Sequence, residues 1–323
     1  MIDSSALEVL RVVNLAKRYA GGGGVDGVSM SVAAGAITGF IGVNGAGKST
    51  TLRCILGLMR PDAGAIRLFG APAGPDARRR IGFLPEERGL FPRERARDVI
   101  AFHARLKGLA KRDAYQAADS LLERIGLGGR QRARIEELSK GNAQRVQILC
   151  ALAHRPELLI LDEPLSGLDP IAQAEILSLF AEFRASGGAI LFSTHSMAAA
   201  QHLCDRVVML AGGRTVFEGS LAEASDRAPH GVVIVTSDPD RLLAAAESVG
   251  GEARPMAGAI GEATRWRIVL PRQVPHPALM RALAENATPI FSFEPIKQDL
   301  EGAFWDLAAT TGRTQAPPQS RAA

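Results

Sequence analysis

Residues 42–49, GVNGAGKS, constrain the fold more than any other stretch of the chain. They space Gly42, Gly47, Lys48 and Ser49 as G-x-x-x-x-G-K-[ST], directly after AITGFI, an apolar run that reads as a buried strand. A strand that breaks at glycines and resumes as a helix near Lys48 turns successive backbone N–H groups inward around an anion, and the helix N-terminus adds partial positive charge. Gly42, Val43, Asn44, Gly45, Ala46 and Gly47 are therefore expected to cradle nucleotide phosphates. Lys48 should reach the β- and γ-phosphates, and Ser49 should ligate Mg²⁺. An ordinary glycine-rich turn is the competing reading, but it gives no reason for Lys-Ser at this point after a strand.

A second segment supplies the carboxylates such a loop needs. Residues 158–163, LLILDE, form an apolar strand that delivers Asp162 and Glu163 at its C-terminal end, where parallel sheets bind ligands. Asp162 is expected to hold Mg²⁺ through its water shell, and Glu163 to polarise the attacking water as general base. Helix capping accounts for Glu163 alone, but not for the strand, the carboxylate pair and Pro164 together. AILFSTH ends another apolar strand on His195, which places an imidazole beside the phosphates. His103, His154 and His202 lack that placement and read as structural.

The pattern around these segments predicts the rest. Strands are expected at residues 7–13, 36–42, 66–70 and 81–85, with turn chemistry in APAGPD between the last two. Residues from about 93 to 134 lose strand character, and the spacings Val99/Phe102/Leu106 and Leu121/Leu122/Ile125 predict a mostly helical insertion. Alternation returns with LLILDEP, a helix over 171–183, AILFSTH, a helix ending near Cys204, and RVVMLAGGRTVFEG as a hairpin. Such repetition implies an α/β fold around a mainly parallel, helix-covered sheet.

Beyond about residue 221 a small α+β unit is expected. VVIVTS, DRLLAAAESVG, a Gly-rich stretch, RWRIVL, HPALMRALAEN and PIFSFEP read as strand, helix, weak strand, strand, helix and strand, a split β-α-β pattern. A last helix over 297–309 puts Leu300, Phe304 and Leu307 on one face, while residues 311–323 lack core-forming capacity and should be disordered.

Composition narrows the function classes. No stretch approaches the roughly 20 apolar residues of a spanning helix, and the opening MIDSSALEVLRVV lacks a basic region followed by an apolar core, so neither a span nor a leader is expected. Cys54, Cys150 and Cys204 stand singly in apolar segments and read as reduced core thiols, not as a disulfide or zinc framework. The net charge of +4 is patchy, with arginines at 78–80, at 93, 95 and 97, and at 130, 132 and 134. Solvated surface is the plain reading of these patches, and contact with anionic lipid or a partner the sharper one.

Residues 138–142, LSKGN, stand shortly before LLILDE and resemble the signature of ABC transporter ATPases, most often written LSGGQ. Ser139 and Gly141 keep the hydroxyl and bare backbone that in the family contact the γ-phosphate of the opposite subunit. Lys140 and Asn142 depart from it, the first adding charge near that phosphate and the second keeping an amide one methylene shorter. Tyr19 resembles the aromatic that stacks on adenine, although a lone aromatic is ordinarily a packing residue. Thr50 belongs with Ser49 to the implied nucleotide-binding set, SGLD at 166–169 resembles the D-loop that crosses the dimer interface with Asp169, and His195 resembles the switch histidine.

Where the family has a glutamine, IGFLPEE at 81–87 offers Glu86, read as a replacement that approaches Mg²⁺ or its water with a carboxylate. LPEERGL and the PIKQDLEGAF helix resemble a bacterial exporter subgroup of sodium-efflux and drug-export ATPases.

The resemblance implies a RecA-like P-loop NTPase cassette over residues 1–222, with a helical subdomain at about 86–150 and an accessory domain at 223–310. It implies ATP and Mg²⁺ as cofactors, catalysis by Lys48, Glu163 and His195, and two copies sandwiching two ATP molecules with each P-loop facing the other copy's Ser139. A separate integral-membrane permease would dock near residues 86–106, holding the chain on the cytoplasmic face of the membrane, and no nucleic-acid partner is expected. The alternative is a soluble ABC-type ATPase acting on ribosomes or DNA; such relatives carry two cassettes or long coiled coils, and this sequence shows neither. A non-hydrolysing regulatory nucleotide binder is a third reading, against which stand Lys48, Asp162, Glu163 and His195.

Overall fold

The computed structural model describes residues 7–87, 89–260, 263–296 and 299–309. The tail expected at 311–323 lies outside them. The chain divides into two compact units, one ending at Leu221 and the other beginning at Ala222.

The first unit opens with β1 (Glu8–Arg18), β2 (Gly24–Ala33), β3 (Ile37–Ile41), α1 (Lys48–Ile55), β4 (Ala63–Leu68), β5 (Ala71–Pro72), α2 (Pro75–Arg79) and β6 (Ile81–Leu84). Three longer helices follow, α3 (Ala96–Leu106), α4 (Lys111–Arg124) and α5 (Lys140–Leu152). The unit then runs through β7 (Leu158–Asp162), α6 (Pro170–Ala185), β8 (Ala189–Thr194), α7 (Met197–Leu203), β9 (Arg206–Ala211) and β10 (Arg214–Ser220). The short α8 (Leu221–Ser225) spans the boundary.

Six strands form the central sheet in the order β10-β9-β3-β8-β7-β6. All its pairs are parallel except β9 with β10, which form the expected hairpin. Every residue of β3, β7 and β8 is buried. That is why these segments read as unbroken apolar runs: both faces of the sheet are covered.

A second sheet, β2-β1-β4-β5, is wholly antiparallel and was only partly legible. β1 runs well past residue 13, and β2 was not foreseen at all. The reason is a broken alternation: β2 buries Val25, Val28, Met30 and Val32, and Gly27, at φ 98°, shifts the phase between the first two. β1 carries a matching irregularity near Asn14, at φ 48°. Period-2 counting fails across such bulges. One apolar core joins Leu10, Val12, Met30 and Val32 from this sheet to Phe40 of the central sheet and Leu52 and Ile55 of α1. This packing fixes the start of α1 against the end of β3.

The helical insertion forms, and the departure from its spacing lies in α3, at Phe102 and Leu106. Val99, Ile100 and Ala104 of α3 are buried, whereas Phe102 is 43% and Leu106 64% exposed. Leu122 and Ile125 are buried. Lys107 Nζ donates to Ile81 O at 2.9 Å, and His154 Nε2 shares that carbonyl at 3.2 Å, tying the insertion to the start of β6.

Burial, reinforced by Lys107, pushes the His154 imidazole down to about 4. A depressed histidine stabilises the fold above its unfolded pKa of about 6.5, and that contribution is lost as pH falls toward the folded value. His154→Leu is therefore expected to lose ~3 kcal/mol less stability than the parent between pH 7 and pH 4. Urea unfolding at the two pH values measures it.

The second unit comprises β11 (Gly231–Thr236), α9 (Pro239–Ser248), β12 (Glu252–Ile260), β13 (Ala263–Val269), α10 (His276–Glu285), β14 (Ile290–Pro295) and α11 (Leu300–Ala309). Its sheet order is β12-β13-β11-β14 with every pair antiparallel, the ferredoxin-like split βαβ arrangement. Val232, Ile234 and Ile268 pack against Leu242 of α9 and Leu279 and Leu283 of α10. On α11 the buried residues are Leu300, Ala303, Phe304 and Ala308, while Leu307 is only half-buried. Cys54, Cys150 and Cys204 are buried and unbridged. Among the described residues no helix is long and apolar enough to cross a membrane.

Candidate functional site

The loop between β3 and α1 has backbone requirements that only glycine meets at two positions. Gly47 caps α1 at φ 105°, and a Cβ there would lie 2.3 Å from Val25 Cγ1. A Cβ on Gly42 would lie 2.6 Å from the Leu210 carbonyl oxygen. The loop thus closes tightly against β2 and β9 and lines a cavity of about 310 Å³. The cavity is lined by Gly24, by each residue from Val43 to Thr50, and by Glu86, Asp162 and Glu163.

Lys48 folds back along the loop, its Nζ donating to Gly42 O at 2.6 Å and Val43 O at 3.4 Å. Burial lowers its pKa, opposed by the carboxylates of Glu163, Asp162 and Glu86. One ammonium therefore faces three carboxylates before any ligand is counted. Ser49 Oγ donates to Asp162 Oδ2 at 3.3 Å. Asp162 is buried, and burial pushes its carboxyl up, against the opposing pull of the Ser193 and Ser49 hydroxyls and Lys48.

The donor chemistry fits a hard divalent cation. Ser49 and Asp162 offer adjacent oxygens, with the Glu86 carboxylate on the same cavity wall. Among the described residues there is no cluster of three or more histidine, cysteine or carboxylate ligands. Mg²⁺ suits such a site, because it is commonly held by one or two protein oxygens with phosphate and water completing the shell.

Glu163 sits at φ 49°, in the left-handed region that non-glycine residues seldom adopt. Its N–H donates to Ser193 O at 3.0 Å, which fixes the turn against the end of β8. Its carboxylate accepts from the His195 backbone N–H at 2.7 Å, from Thr194 Oγ1 at 3.3 Å and from the His195 ring at Nδ1, 2.6 Å away. These bonds aim one carboxylate and leave the His195 side chain 59% exposed. Neighbouring parallel strands β7 and β8 put the two residues together.

Ser139, Lys140, Gly141 and Asn142 lie outside this cavity. Ser139 caps α5, its Oγ accepting from Asn142 N at 3.2 Å, and the other three form the helix's first turn. Gly141 faces Gly167 O and Leu168 at 3.8–3.9 Å from a notional Cβ. Asp169 caps α6 through Ala172 N at 2.9 Å and is likewise absent from the cavity lining. Tyr19 stands beside the cavity, the residue 40% exposed and its hydroxyl 3.1 Å from Thr50 Oγ1.

Two residues that motif reading missed support the site. Thr194 holds Glu163, and Gln147 of α5 donates to the Glu87 carbonyl beside Glu86. A glutamine set among Val146, Ile148 and Leu149 was the only sequence signal for the second. Farther along the insertion a cavity of about 370 Å³ is lined by Phe91, Val99, Phe102, Arg105 and Tyr115 among others. Phe91 and Phe102 are exposed there and meet edge to face, centroids 6.0 Å apart.

The sequence profile of the family described as ABC transporter matches residues 25–166. The chain is 39% identical over 242 residues to the uncharacterized ABC transporter ATP-binding protein YhaQ of Bacillus subtilis, covering 75% of this chain and 81% of the relative. It is 37% identical to Nod factor export ATP-binding protein I of Burkholderia lata, over 68% of this chain and 71% of that one. It is 38% identical to the methionine import ATP-binding protein MetN of Rhizobium etli, over 68% and 63%. A solved ATP-binding subunit of an ABC transporter superposes with a TM-score of 0.64 at 35% identity, covering 68% of this chain and 92% of that structure.

Proposed function

Since the chain belongs to the ABC transporter ATP-binding subunits, and is an ATPase of that family, we propose that it drives a separate membrane permease in the export direction by ATP-dependent pairing of two copies. One observation carries the pairing: the phosphate loop, Ser49, Asp162, Glu86 and Glu163 share one cavity, while residues 139–142 of the same chain do not reach it. A site that uses Ser139 and Gly141 takes them from a second copy. Export is supported by the Nod factor relative and by the LPEERGL segment, and the import relative marks the competing direction.

In this reading the backbone N–H groups of residues 43–49 bind phosphate oxygens, and Lys48 exchanges its two carbonyl acceptors for the β- and γ-phosphates. Mg²⁺, held by Ser49 and Asp162 with Glu86 nearby, would neutralise charge developing between those phosphates. Glu163 takes the proton of the attacking water at its carboxylate, and the His195 and Thr194 bonds keep that carboxylate aimed. Tyr19, anchored by its hydroxyl to Thr50, offers an exposed ring face to the adenine. Residues of the partner's α5 N-terminus close the site, and hydrolysis reopens the pair.

The groove of Phe91, Val99, Phe102 and Tyr115, whose lining also includes Glu94, Asp98 and Arg105, is the docking place for a cytoplasmic loop of the permease, on the inner face of the membrane. A carboxylate in place of the exposed Phe102 ring is costly when that position is covered by an apolar partner group. Phe102→Asp is expected to cut recovery of the permease in a native membrane pull-down by at least about tenfold, the loss expected when a central aromatic anchor is removed. Mass spectrometry of the membrane proteins that co-purify with the parental chain tests the reading as a whole. Recovery of no integral membrane protein would overturn it.

A further inference from the structure

Helix α5 ties together parts of the first unit that are far apart in sequence. Its N-terminus carries Ser139, Lys140, Gly141 and Asn142. One turn on, Arg145 pairs with Glu175 of α6, the helix capped by Asp169. Gln147 follows, buried to 5% exposure. Its Nε2 donates to Glu87 O at 3.1 Å and lies 3.5 Å from Pro85 O, so the two carbonyls it reaches flank Glu86. Among the described residues its Oε1, buried, has no hydrogen-bond partner.

An amide that buries one unpaired acceptor is a poor device for stability alone, since the unpaired oxygen costs about 1–3 kcal/mol. What the amide secures is the path of a short segment with no regular structure, residues 85–87, at the cavity wall. Glu86 lies near enough to Lys48 to act on its charge. A shift of the segment therefore changes how many carboxylates face the lysine and the cation oxygens.

We propose that Gln147 is a positioning residue for Glu86, pinning the peptide groups on either side of it to α5 so that the carboxylate's place in the cavity follows the helix. The proposal rests on reading Glu86 as a carboxylate that faces the divalent cation. From Ser139 to Gln147 is a rise of about 12 Å along the helix. Engagement of residues 139–142 by a second copy's nucleotide is thereby carried to the first copy's cation side through one rigid element.

The test uses the full chain as parent, Gln147→Met, Glu86→Gln and the double variant. Met keeps the length and helix preference of Gln but donates nothing. Two readouts are taken: hydrogen exchange at the Glu86 and Glu87 amides without nucleotide, and Mn²⁺ affinity by electron paramagnetic resonance with a non-hydrolysable ATP analogue. Loss of one hydrogen bond worth about 1 kcal/mol predicts exchange at those amides about fivefold faster in Gln147→Met. Mn²⁺ binding should weaken by a similar factor in Gln147→Met and be insensitive to Gln147→Met once Glu86 is Gln. Unchanged exchange, or equal weakening in both backgrounds, would overturn the role of Gln147. Should Glu86→Gln itself leave Mn²⁺ affinity untouched, the reading of Glu86 fails and takes this one with it. If Gln147→Met does not fold, Gln147→Asn, which keeps an amide one methylene short, is expected to show the same two changes in the same direction.

Discussion

Glu163→Gln is expected to slow ATP turnover by about 10²- to 10⁴-fold while leaving ATP affinity close to parental, because in the proposed mechanism it removes the general base and little else. The substitution keeps shape and one carbonyl oxygen, so the His195 backbone N–H and ring retain an acceptor at the atom they now use. It removes the negative charge and the capacity to take a proton from water. The turn at φ 49° and its bond to Ser193 O do not involve the carboxylate and should persist. Phosphate release gives the rate, and equilibrium binding of a fluorescent ATP analogue gives the affinity. Hydrolysis at the parental rate would remove Glu163 from the chemistry.

Lys48→Ala should act on binding. Lys48 is the cation among Glu163, Asp162 and Glu86, and its loss leaves three carboxylates facing a polyphosphate in a partly buried cavity. Removing one member of a buried, hydrogen-bonded charge pair typically costs 2–5 kcal/mol. ATP affinity is therefore expected to fall by at least about 30-fold, read by titration calorimetry in Mg²⁺. Affinity within threefold of the parent would show that the loop N–H groups bind the phosphates without the ammonium.

Much of this site was legible because its chemistry is local. Residues 42–49 and 158–163 each contain a strand end and the functional groups it presents, so reading either needs only neighbours in sequence. The contact between Glu163 and His195 crosses 32 residues and depends on β7 lying beside β8, which motif order suggests but does not prescribe. Gln147 and Glu87 are 60 residues apart and belong to no motif, so only packing reveals their bond. β2 was hidden by a glycine that shifts its alternation. On α3 the spacing of Phe102 and Leu106 announced a helix correctly, yet spacing alone does not say which apolar face is covered by this chain and which is left to solvent.

The second unit shows the converse. Its order of strands and helices could be read from alternation, because β11, β13 and β14 are only six or seven residues long, and the sheet order β12-β13-β11-β14 follows from few right-handed choices. Nothing in its sequence carried a chemical constellation, and its core is apolar.

In the proposed pairing, one copy's nucleotide cavity is completed by another copy's residues 139–142. It is tested most directly by light scattering of the Glu163→Gln chain, with and without ATP and Mg²⁺, alongside the same chain carrying Ser139→Phe. The mass is expected to double on adding nucleotide, and Ser139→Phe to abolish the doubling while ATP remains bound. An ATP-loaded Glu163→Gln chain that stays single, or one that pairs equally well with Ser139→Phe, would contradict it.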